Sequence, residues 1–493
     1  MTRNCIQFRR RDRTIRLNEF LPQSTMILDW LRLEERSTGT KEGCAEGDCG
    51  ACTVVIARER GGRLLYEPVN ACIATLGQLD GCELITVEDL AHEGKLHPVQ
   101  TAMAAGHGSQ CGFCTPGIVM SLFAHFHSEG ERTERAKIND ALAGNLCRCT
   151  GYRSIVDAAR EACAGPMTDR FVAKEADTIA ALRQLQDDAD VFVGNDTGFF
   201  ASPASEDSLA SLYQRHPDAT IIAGATDVGL WITKKLATLD KIIHVGRAGL
   251  DHIEEAADAI HVGAAVTLAD ATSPLASIDP DIAEILRRFG SVQVRAAGTV
   301  GGSIANASPI GDLAPLFIAL GGSIELRKGE RIRTMPLEQF FISYGKQDRE
   351  ASEFVRRLIV PKLPAATFFR AFKVSKRFDE DITAVLGAFR IGLDGGRIAS
   401  ARIAFGGMAG TPKRATAVEG QLVGAALHDV SAWRRAAMRI GDDFTPLTDM
   451  RASAEYRLGV ARNLVIKALA EIAGVSSPVT RVLDRRESVD VAP

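Results

Sequence analysis

Lys41-Glu42-Gly43-Cys44-Ala45-Glu46-Gly47-Asp48-Cys49-Gly50-Ala51-Cys52 is the stretch that decides how this chain must fold. Cys44, Cys49 and Cys52 stand in C-x4-C-x2-C spacing, and Cys72 follows farther on, the pattern by which four thiolates hold one 2Fe–2S cluster. A loop that aims three thiolates at two irons must turn tightly, and Gly43, Gly47 and Gly50 allow backbone angles closed to other residues. Four cysteines with short inner spacings also make tetrahedral zinc sites, although zinc more often uses two C-x2-C pairs.

Outward from this loop, strand-like runs lie at 5–8, 14–17, 53–56, 64–66 and 83–87, with a helix over 26–35 capped by Ser24 or Thr25. From about residue 88 the apolar period becomes helical, and helices over 98–105, 117–128, 137–146 and 155–163 suffice for a four-helix bundle. A second cysteine set lies at the ends of those helices: Gln110-Cys111-Gly112-Phe113-Cys114-Thr115-Pro116-Gly117 and Cys147-Arg148-Cys149-Thr150-Gly151-Tyr152. Pro116 suits a first helical turn, and a helix N-terminus stabilises a nearby anionic cluster. Zinc is the alternative here too, but Cys147-x-Cys149 holds its sulfurs closer than a zinc knuckle usually does. Cys5, Cys82 and Cys163 have no partner spacing and read as small buried apolar residues.

The 493 residues are too many for one ordinary core, and 46% apolar with 24% charged residues is an ordinary globular composition. A net charge of −4, with no basic block interleaved with aromatics, gives no support for nucleic-acid binding. No apolar run reaches the length of a membrane span, and Arg9-Arg10-Arg11 lies between two strand-like runs without the apolar stretch of a targeting peptide. All 11 cysteines lie at or before Cys163, which points to metal or redox use in a reducing, cytoplasmic setting.

The C-x4-C-x2-C domain resembles plant-type ferredoxins. Followed directly by Q-C-G-F-C-T-P-G and C-R-C-T-G-Y, it resembles the iron–sulfur module of the molybdenum hydroxylase family over about residues 1–165. The resemblance implies one 2Fe–2S cluster on Cys44, Cys49, Cys52 and Cys72, toward a flavin. It implies a second on Cys111, Cys114, Cys147 and Cys149, beside the molybdopterin, with Gln110 near the pterin.

A helix over 206–214 and a strand over 220–223 then open into Gly224-Ala225-Thr226-Asp227-Val228-Gly229, a strand-to-helix turn whose amides can cradle a pyrophosphate. The small-residue stretch from Thr299 to Asp312 offers the same backbone access. Neither forms G-x-G-x-x-G, and G-x-x-x-x-G-K-S/T is absent, so Rossmann and P-loop readings fail. Set beside the family, both loops resemble its flavin domain. The resemblance implies FAD contacts from Ala223, Gly224, Ala225, Thr226, Asp227, Val228 and Gly229, and from Gly301, Gly302 and Ser303. Thr299, Asn306 and Asp312 would meet other polar groups, Leu358 and Lys373 would line the flavin, and Phe289 would cover its ring. By residue type alone, Phe289 reads equally as core, Lys373 as a solvated cation and Asp312 as a turn carboxylate.

The expected architecture is multidomain α+β. A ferredoxin-like β-grasp 2Fe–2S domain (1–88) precedes a four-helix-bundle 2Fe–2S domain (89–165), a linker (166–198), an α+β FAD-binding domain (199–366) and an α+β C-terminal subdomain (367–493). The last ends in a helix capped by Ser453 and closed at Gly474.

Single-electron clusters and two-electron chemistry are reconciled by FAD, which takes electrons singly and passes on a hydride. The family's molybdenum domain does not follow before Pro493, so the cofactor, the substrate pocket and the catalytic groups are expected on a partner subunit, in an (αβ)2 heterotetramer. The domain order resembles the iron–sulfur and FAD small subunit of a bacterial xanthine dehydrogenase, oxidising hypoxanthine or xanthine with NAD+ as acceptor. The run Lys376-Arg377-Phe378-Asp379-Glu380-Asp381 would meet NAD or simply form a solvated turn. The alternatives are an aldehyde- or N-heterocycle-oxidising relative, a free-standing NADH-dependent flavoprotein reductase and a zinc-stabilised interaction module.

Overall fold

The structure is a computed structural model that describes residues 2–18, 22–130 and 132–475. The chain divides into two compact units, Met1–Leu250 with Gly290–Thr299, and Asp251–Phe289 with Val300–Pro493.

In the first unit the β-grasp fold is present as expected. Five strands run in the order Arg13–Leu17, Ile6–Arg10, Glu83–Ile85, Thr53–Arg60, Arg63–Asn70. Ile6–Arg10 and Glu83–Ile85 pair in parallel, and the other neighbours are antiparallel. Positive φ at Arg11 and Asp12 gives the tight hairpin between the first two strands. The helical segment is shorter than the pattern suggests: Ile27–Asp29 is α-helical, and Trp30–Glu34 widens into a π turn. Its N-cap is Met26 with no side-chain bond, because the Thr25 hydroxyl donates instead to the Pro22 carbonyl at 2.6 Å. Ile27, Leu28 and Leu31 are buried, and Trp30 stands edge-on to Phe8 with ring centroids 5.4 Å apart.

The bundle comprises Pro98–Ala105, Thr115–Phe126, Arg135–Leu142 and Arg153–Cys163. The third helix stops before the expected 146, since Asn145 and Leu146 turn away to bond with the first cysteine loop. Cys82 and Cys163 are buried, as expected, whereas Cys5 is only half-buried.

Residues 166–198, expected as a linker, are ordered structure. Helices Arg170–Ala173 and Glu175–Leu185 precede strand Asp190–Asn195, which joins a second sheet in the order Thr2–Arg3, Asp190–Asn195, Gly198–Ser202, Lys241–His244, Thr220–Ile222. The acidic run at 187–190 masked the apolar Val191-Phe192-Val193 that follows it. This sheet shares a core with the β-grasp domain, where Val191, Phe200, Ile222 and Ile242 cluster with Phe8 and Leu79. Residues 199–250 thereby contribute to the core of the first unit.

Asp169 fixes the start of this segment. Its Oδ2 accepts from His97 Nε2 at 2.8 Å and from His127 Nε2 at 2.9 Å, while Oδ1 accepts from the amides of Phe171 and Val172. His97 Nδ1 accepts from the Val99 amide, so its proton sits on Nε2. That tautomer makes the His97, His127 and Asp169 set a hydrogen-bonded clamp rather than a metal site. Burial opposes the charge on Asp169, but the bonds from His127 and His97 outweigh it and hold the carboxyl well below the usual range. Asp169→Ala leaves two buried imidazole donors and two amides unpaired. It is expected to cost about 3 kcal/mol and to open 166–175 to limited proteolysis, with wild-type resistance as the contrary result.

His244 supplies a pH-dependent element of the same unit. Burial lowers its pKa to about 3, with Arg58 and Arg247 adding to the effect, so the folded protein holds the imidazole neutral. The folded value lies below the unfolded one, so full stability above about pH 6.5 is lost progressively as pH falls toward 3, by about 2 kcal/mol at pH 5. His244→Phe is expected to flatten the fall in urea midpoint between pH 7 and pH 5, and an unchanged fall would contradict this.

The second unit has a five-stranded antiparallel sheet in the order Ile253–Glu255, Ala259–Gly263, Phe354–Pro361, Ser323–Lys328, Arg331–Pro336. A four-stranded sheet follows, Thr367–Val374, Val385–Asp394, Arg397–Gly406, Lys413–Arg414. Strand Val385–Asp394 is buried on both faces: Leu386 and Ala388 join the core around helix Leu313–Leu320, while Val385, Phe389 and Ile391 pack with Trp433 and Val465. Strand Val385–Asp394 thus links two cores of the second unit. The last helix, Ala454–Ile472, is capped by Ser453, whose hydroxyl accepts from the Tyr456 amide, and Gly474 has φ +69°. No helix among the described residues is long and apolar enough to cross a membrane.

Candidate functional site

Both cysteine sets converge as the spacing requires. In the first loop the thiols of Cys49 and Cys72 lie beside Cys44, and that of Cys72 also lies beside Cys52. Those neighbours lower the pKa of Cys44, whereas the same contacts raise those of Cys49 and Cys72. The Cys49 amide points at Cys44 Sγ at 3.3 Å. Gly47 and Gly50 have φ of +76° and +69°, and a Cβ on Gly43 would lie 2.7 Å from Cys49 Sγ. Asn70 closes the loop from outside, its Nδ2 donating to the Gly47 carbonyl at 2.9 Å.

The second set pairs Cys114 with Cys147 and Cys111 with Cys149. Cys114 is the N-cap residue of helix Thr115–Phe126, with Pro116 in the first turn. Burial and the neighbouring Cys147 raise its pKa to about 12, while the Thr150 hydroxyl and amide lower that of Cys147 against the effect of burial. Tyr152, at φ +67°, binds back on the loop: its hydroxyl accepts from the Cys147 amide at 2.7 Å and donates to the Asn145 carbonyl at 2.9 Å. Cys111 and Cys149 are exposed, as are Gln110, Phe113 and Leu146. Two groups of four thiols on glycine-bearing loops, with hydroxyl and amide donors at the sulfurs, fit two 2Fe–2S clusters.

The expected flavin residues fall in both units. In the first, the loop after strand Thr220–Ile222 carries Ala225 at φ +56° and leads into helix Val228–Thr233. Among the described residues, no backbone acceptor takes the amides of 224–228. A Cβ on Gly224 would lie 1.8 Å from the Ala297 carbonyl, and Gln78 Nε2 holds the Ala223 carbonyl at 3.0 Å. Five consecutive amides left for a ligand or solvent fit the pyrophosphate of FAD. Asp227, by contrast, accepts from Trp231 Nε1 at 3.1 Å.

In the second unit Val300 and Gly301 open helix Val300–Ala305 and donate their amides to the Val266 and Ala264 carbonyls. A Cβ on Gly301 would lie 2.5 Å from Ala264 Cβ, so the role visible for this glycine is close packing. Gly302 and Asn306 are exposed, Ser303 is half-buried, and Thr299, the last residue of the first unit, is buried. Asp312 and Lys373 meet each other: Nζ donates to Oδ2 at 2.7 Å and to the Arg288 carbonyl at 3.2 Å, while the Thr383 hydroxyl donates to the other carboxylate oxygen. Leu358 is fully buried in the core, and Phe289 packs against that core from a half-buried position. The run at 376–381 is engaged internally. Phe378 lies under the guanidinium groups of Arg287 and Arg288, Asp379 pairs with Arg287, and Asp381 accepts from the Arg377 amide.

Several participants lacked any sequence signal. Asn70, Asn145 and Gln293 are isolated amides, and only the tertiary fold brings them to the loops.

The fold and the cysteine geometry define an iron–sulfur flavoprotein chain. The comparisons agree: residues 86–160 match a family described as a 2Fe–2S binding domain, 188–363 the FAD binding domain in molybdopterin dehydrogenase, and 370–472 the CO dehydrogenase flavoprotein C-terminal domain. Xanthine dehydrogenase 1 of Arabidopsis thaliana is 30% identical over 470 residues, covering 81% of this chain and 34% of that protein. The xanthine dehydrogenase/oxidase of Rattus norvegicus is 32% identical over 441 residues, covering 79% and 33%. The chain thus spans about a third of the length of these curated relatives. Among solved structures, carbon monoxide dehydrogenase from Hydrogenophaga pseudoflava matches with TM-score 0.53 at 27% identity, covering 56% of this chain and 98% of that one. Quinoline 2-oxidoreductase from Pseudomonas putida 86 matches with TM-score 0.51 at 25% identity, covering 56% and 96%. The chain belongs to the molybdenum hydroxylase family and carries its iron–sulfur and FAD electron-transfer part.

Proposed function

We propose that this chain is the iron–sulfur and FAD subunit of a xanthine dehydrogenase. It would pass electrons from a molybdenum cofactor on a partner subunit to NAD+ during oxidation of hypoxanthine or xanthine to urate. The observation that carries the reading is the convergence of two four-cysteine groups in the unit that also bears the open-amide loop at 224–228. In this reading Cys44, Cys49, Cys52 and Cys72 hold one cluster, and Cys111, Cys114, Cys147 and Cys149 the other. The loops at 223–229 and 299–312 bind FAD, and Gln110 lies toward the pterin. When bound, the clusters supply one-electron capacity, and FAD joins it to two-electron transfer.

The protein's own residues orient and shield these groups. Asn70 and Tyr152 brace the two cysteine loops, while the Asp312–Lys373 pair ties the turn before helix Leu313–Leu320 to strand Thr367–Val374. A large partner is supported by Phe113 and Leu146, 49% and 65% exposed beside the exposed Cys111 and Cys149. Cytoplasmic residence and an (αβ)2 assembly accompany the proposal. An N-heterocycle-oxidising complex is the second reading, favoured by the match to quinoline 2-oxidoreductase.

The test is copurification of the chain with its partner, with iron, flavin, molybdenum and xanthine-dependent NADH formation measured on one preparation. All four are expected together. Turnover of quinoline or an aldehyde but not xanthine would favour the second reading, and full activity of the chain alone would contradict the subunit proposal.

A further inference from the structure

Gln293 lies far in sequence from both cysteine loops, yet its side chain is buried against them. Its Nε2 donates to Asn145 Oδ1 at 3.1 Å, to Thr53 Oγ1 at 3.1 Å and to Ser121 Oγ at 3.0 Å. Asn145 stands two residues before Cys147, Thr53 directly follows Cys52, and Ser121 lies on the helix that Cys114 caps. The network has one orientation. The Gly50 carbonyl is a fixed acceptor that takes Asn145 Nδ2 at 3.2 Å and the Thr53 hydroxyl at 2.7 Å, which leaves Asn145 Oδ1 and Thr53 Oγ1 as acceptors for the Gln293 amide. Beside the node the two loops touch directly, the Leu146 amide donating to the Cys49 carbonyl at 2.9 Å.

Three glycines let the backbones come this close. A Cβ on Gly117 would lie 2.1 Å from the Gly50 carbonyl, and one on Gly50 would lie 2.0 Å from the Gly144 carbonyl. A Cβ on Gly144 would lie 2.1 Å from Gln293 Oε1 and 2.5 Å from Ser291 Cβ. Gly144 has no positive φ, so space for the 291–293 segment is the demand that requires glycine there.

We propose that Gln293 is a positioning residue that locks the two cysteine loops at one separation, through Asn145 and Thr53. The proposal rests on the reading of those cysteines as cluster ligands. Its physical basis is a fully buried amide whose two hydrogens are shared among oxygen acceptors on three segments: loss of the donor takes the Gln293 bond from Asn145 Oδ1 and Ser121 Oγ, while Thr53 Oγ1 keeps Asn145 Nδ2 at 3.3 Å.

The test uses the holoprotein reduced with dithionite, comparing wild type with Gln293→Met, which keeps length and bulk but removes the donor. Two readouts are taken: the magnetic splitting between the two reduced clusters in electron paramagnetic resonance, and hydrogen exchange at 49–53 and 143–147. The expected result is equal iron content, loss of the wild-type splitting and faster exchange in both loops. Unchanged splitting and unchanged exchange would overturn the proposal. Should Gln293→Met lose iron, hydrogen exchange at 49–53 and 143–147 is compared between the variant and iron-free wild type, with faster exchange expected in the variant and equal exchange overturning the proposal. A wild-type chain without iron would refute the cluster reading instead, and hydrogen exchange alone would then decide whether Gln293 ties the loops.

Discussion

Gly50→Ala is expected to lose the first cluster, while Gly61→Ala keeps it. Both glycines have positive φ, +69° and +59°, so alanine carries a similar backbone penalty of about 1–2 kcal/mol at each. Gly61 has nothing within 4 Å of an added Cβ, whereas at Gly50 that atom would lie 2.0 Å from the Gly144 carbonyl and 2.7 Å from Asn145 Nδ2. A backbone carbonyl cannot swing aside as a side chain can, so the loops must separate, adding about 1–3 kcal/mol of overpacking strain. The total of about 2–5 kcal/mol falls on a loop that holds thiols in place. Iron and sulfide assays on both variants check this. Half the wild-type iron is expected in Gly50→Ala, and full iron would show that the close approach is not needed.

The second large effect is expected at the Asp312–Lys373 pair, whose side chains are 6% and 2% exposed. Asp312→Ala leaves the Lys373 ammonium with the Arg288 carbonyl as its remaining partner and the Thr383 hydroxyl without its acceptor. Breaking a buried pair from one side costs about 3–5 kcal/mol, because the remaining charge stays desolvated. The double variant Asp312→Asn with Lys373→Met removes both charges and is expected to recover much of the loss. Urea denaturation followed by tryptophan and flavin fluorescence reads all three proteins. A double variant no better than Asp312→Ala would mean that the charges themselves are not what the site requires.

The local signals in the sequence were strong where chemistry is local. Cysteine spacing, the Ser453 cap and Gly474 depend on neighbours within a few residues, and the structure forms those elements where the pattern sets them. Distant pairing was illegible. Asp190–Asn195 looks like linker because its acidic flank hides a short apolar strand, and its partner Thr2–Arg3 lies at the other end of the unit. Periodicity carries the helix on to 146, past its end at Leu142, because it cannot register that Gly144 and Asn145 belong to a junction between loops. Asp312 and Lys373, each read as reaching for FAD, engage one another, a pairing across two elements that residue type alone does not reveal. Gln293 had no signal at all, being one amide in a Val-Gln-Val-Arg helix.

In the proposed subunit both cysteine groups hold iron and communicate with a flavin on the same polypeptide. An anaerobic dithionite titration of the purified chain, followed by visible absorbance and electron paramagnetic resonance, reads this most directly. Two distinct 2Fe–2S signals and bleaching of the flavin in the same titration are the predicted result. A colourless zinc protein, or a flavin that stays oxidised after the irons are reduced, would contradict it.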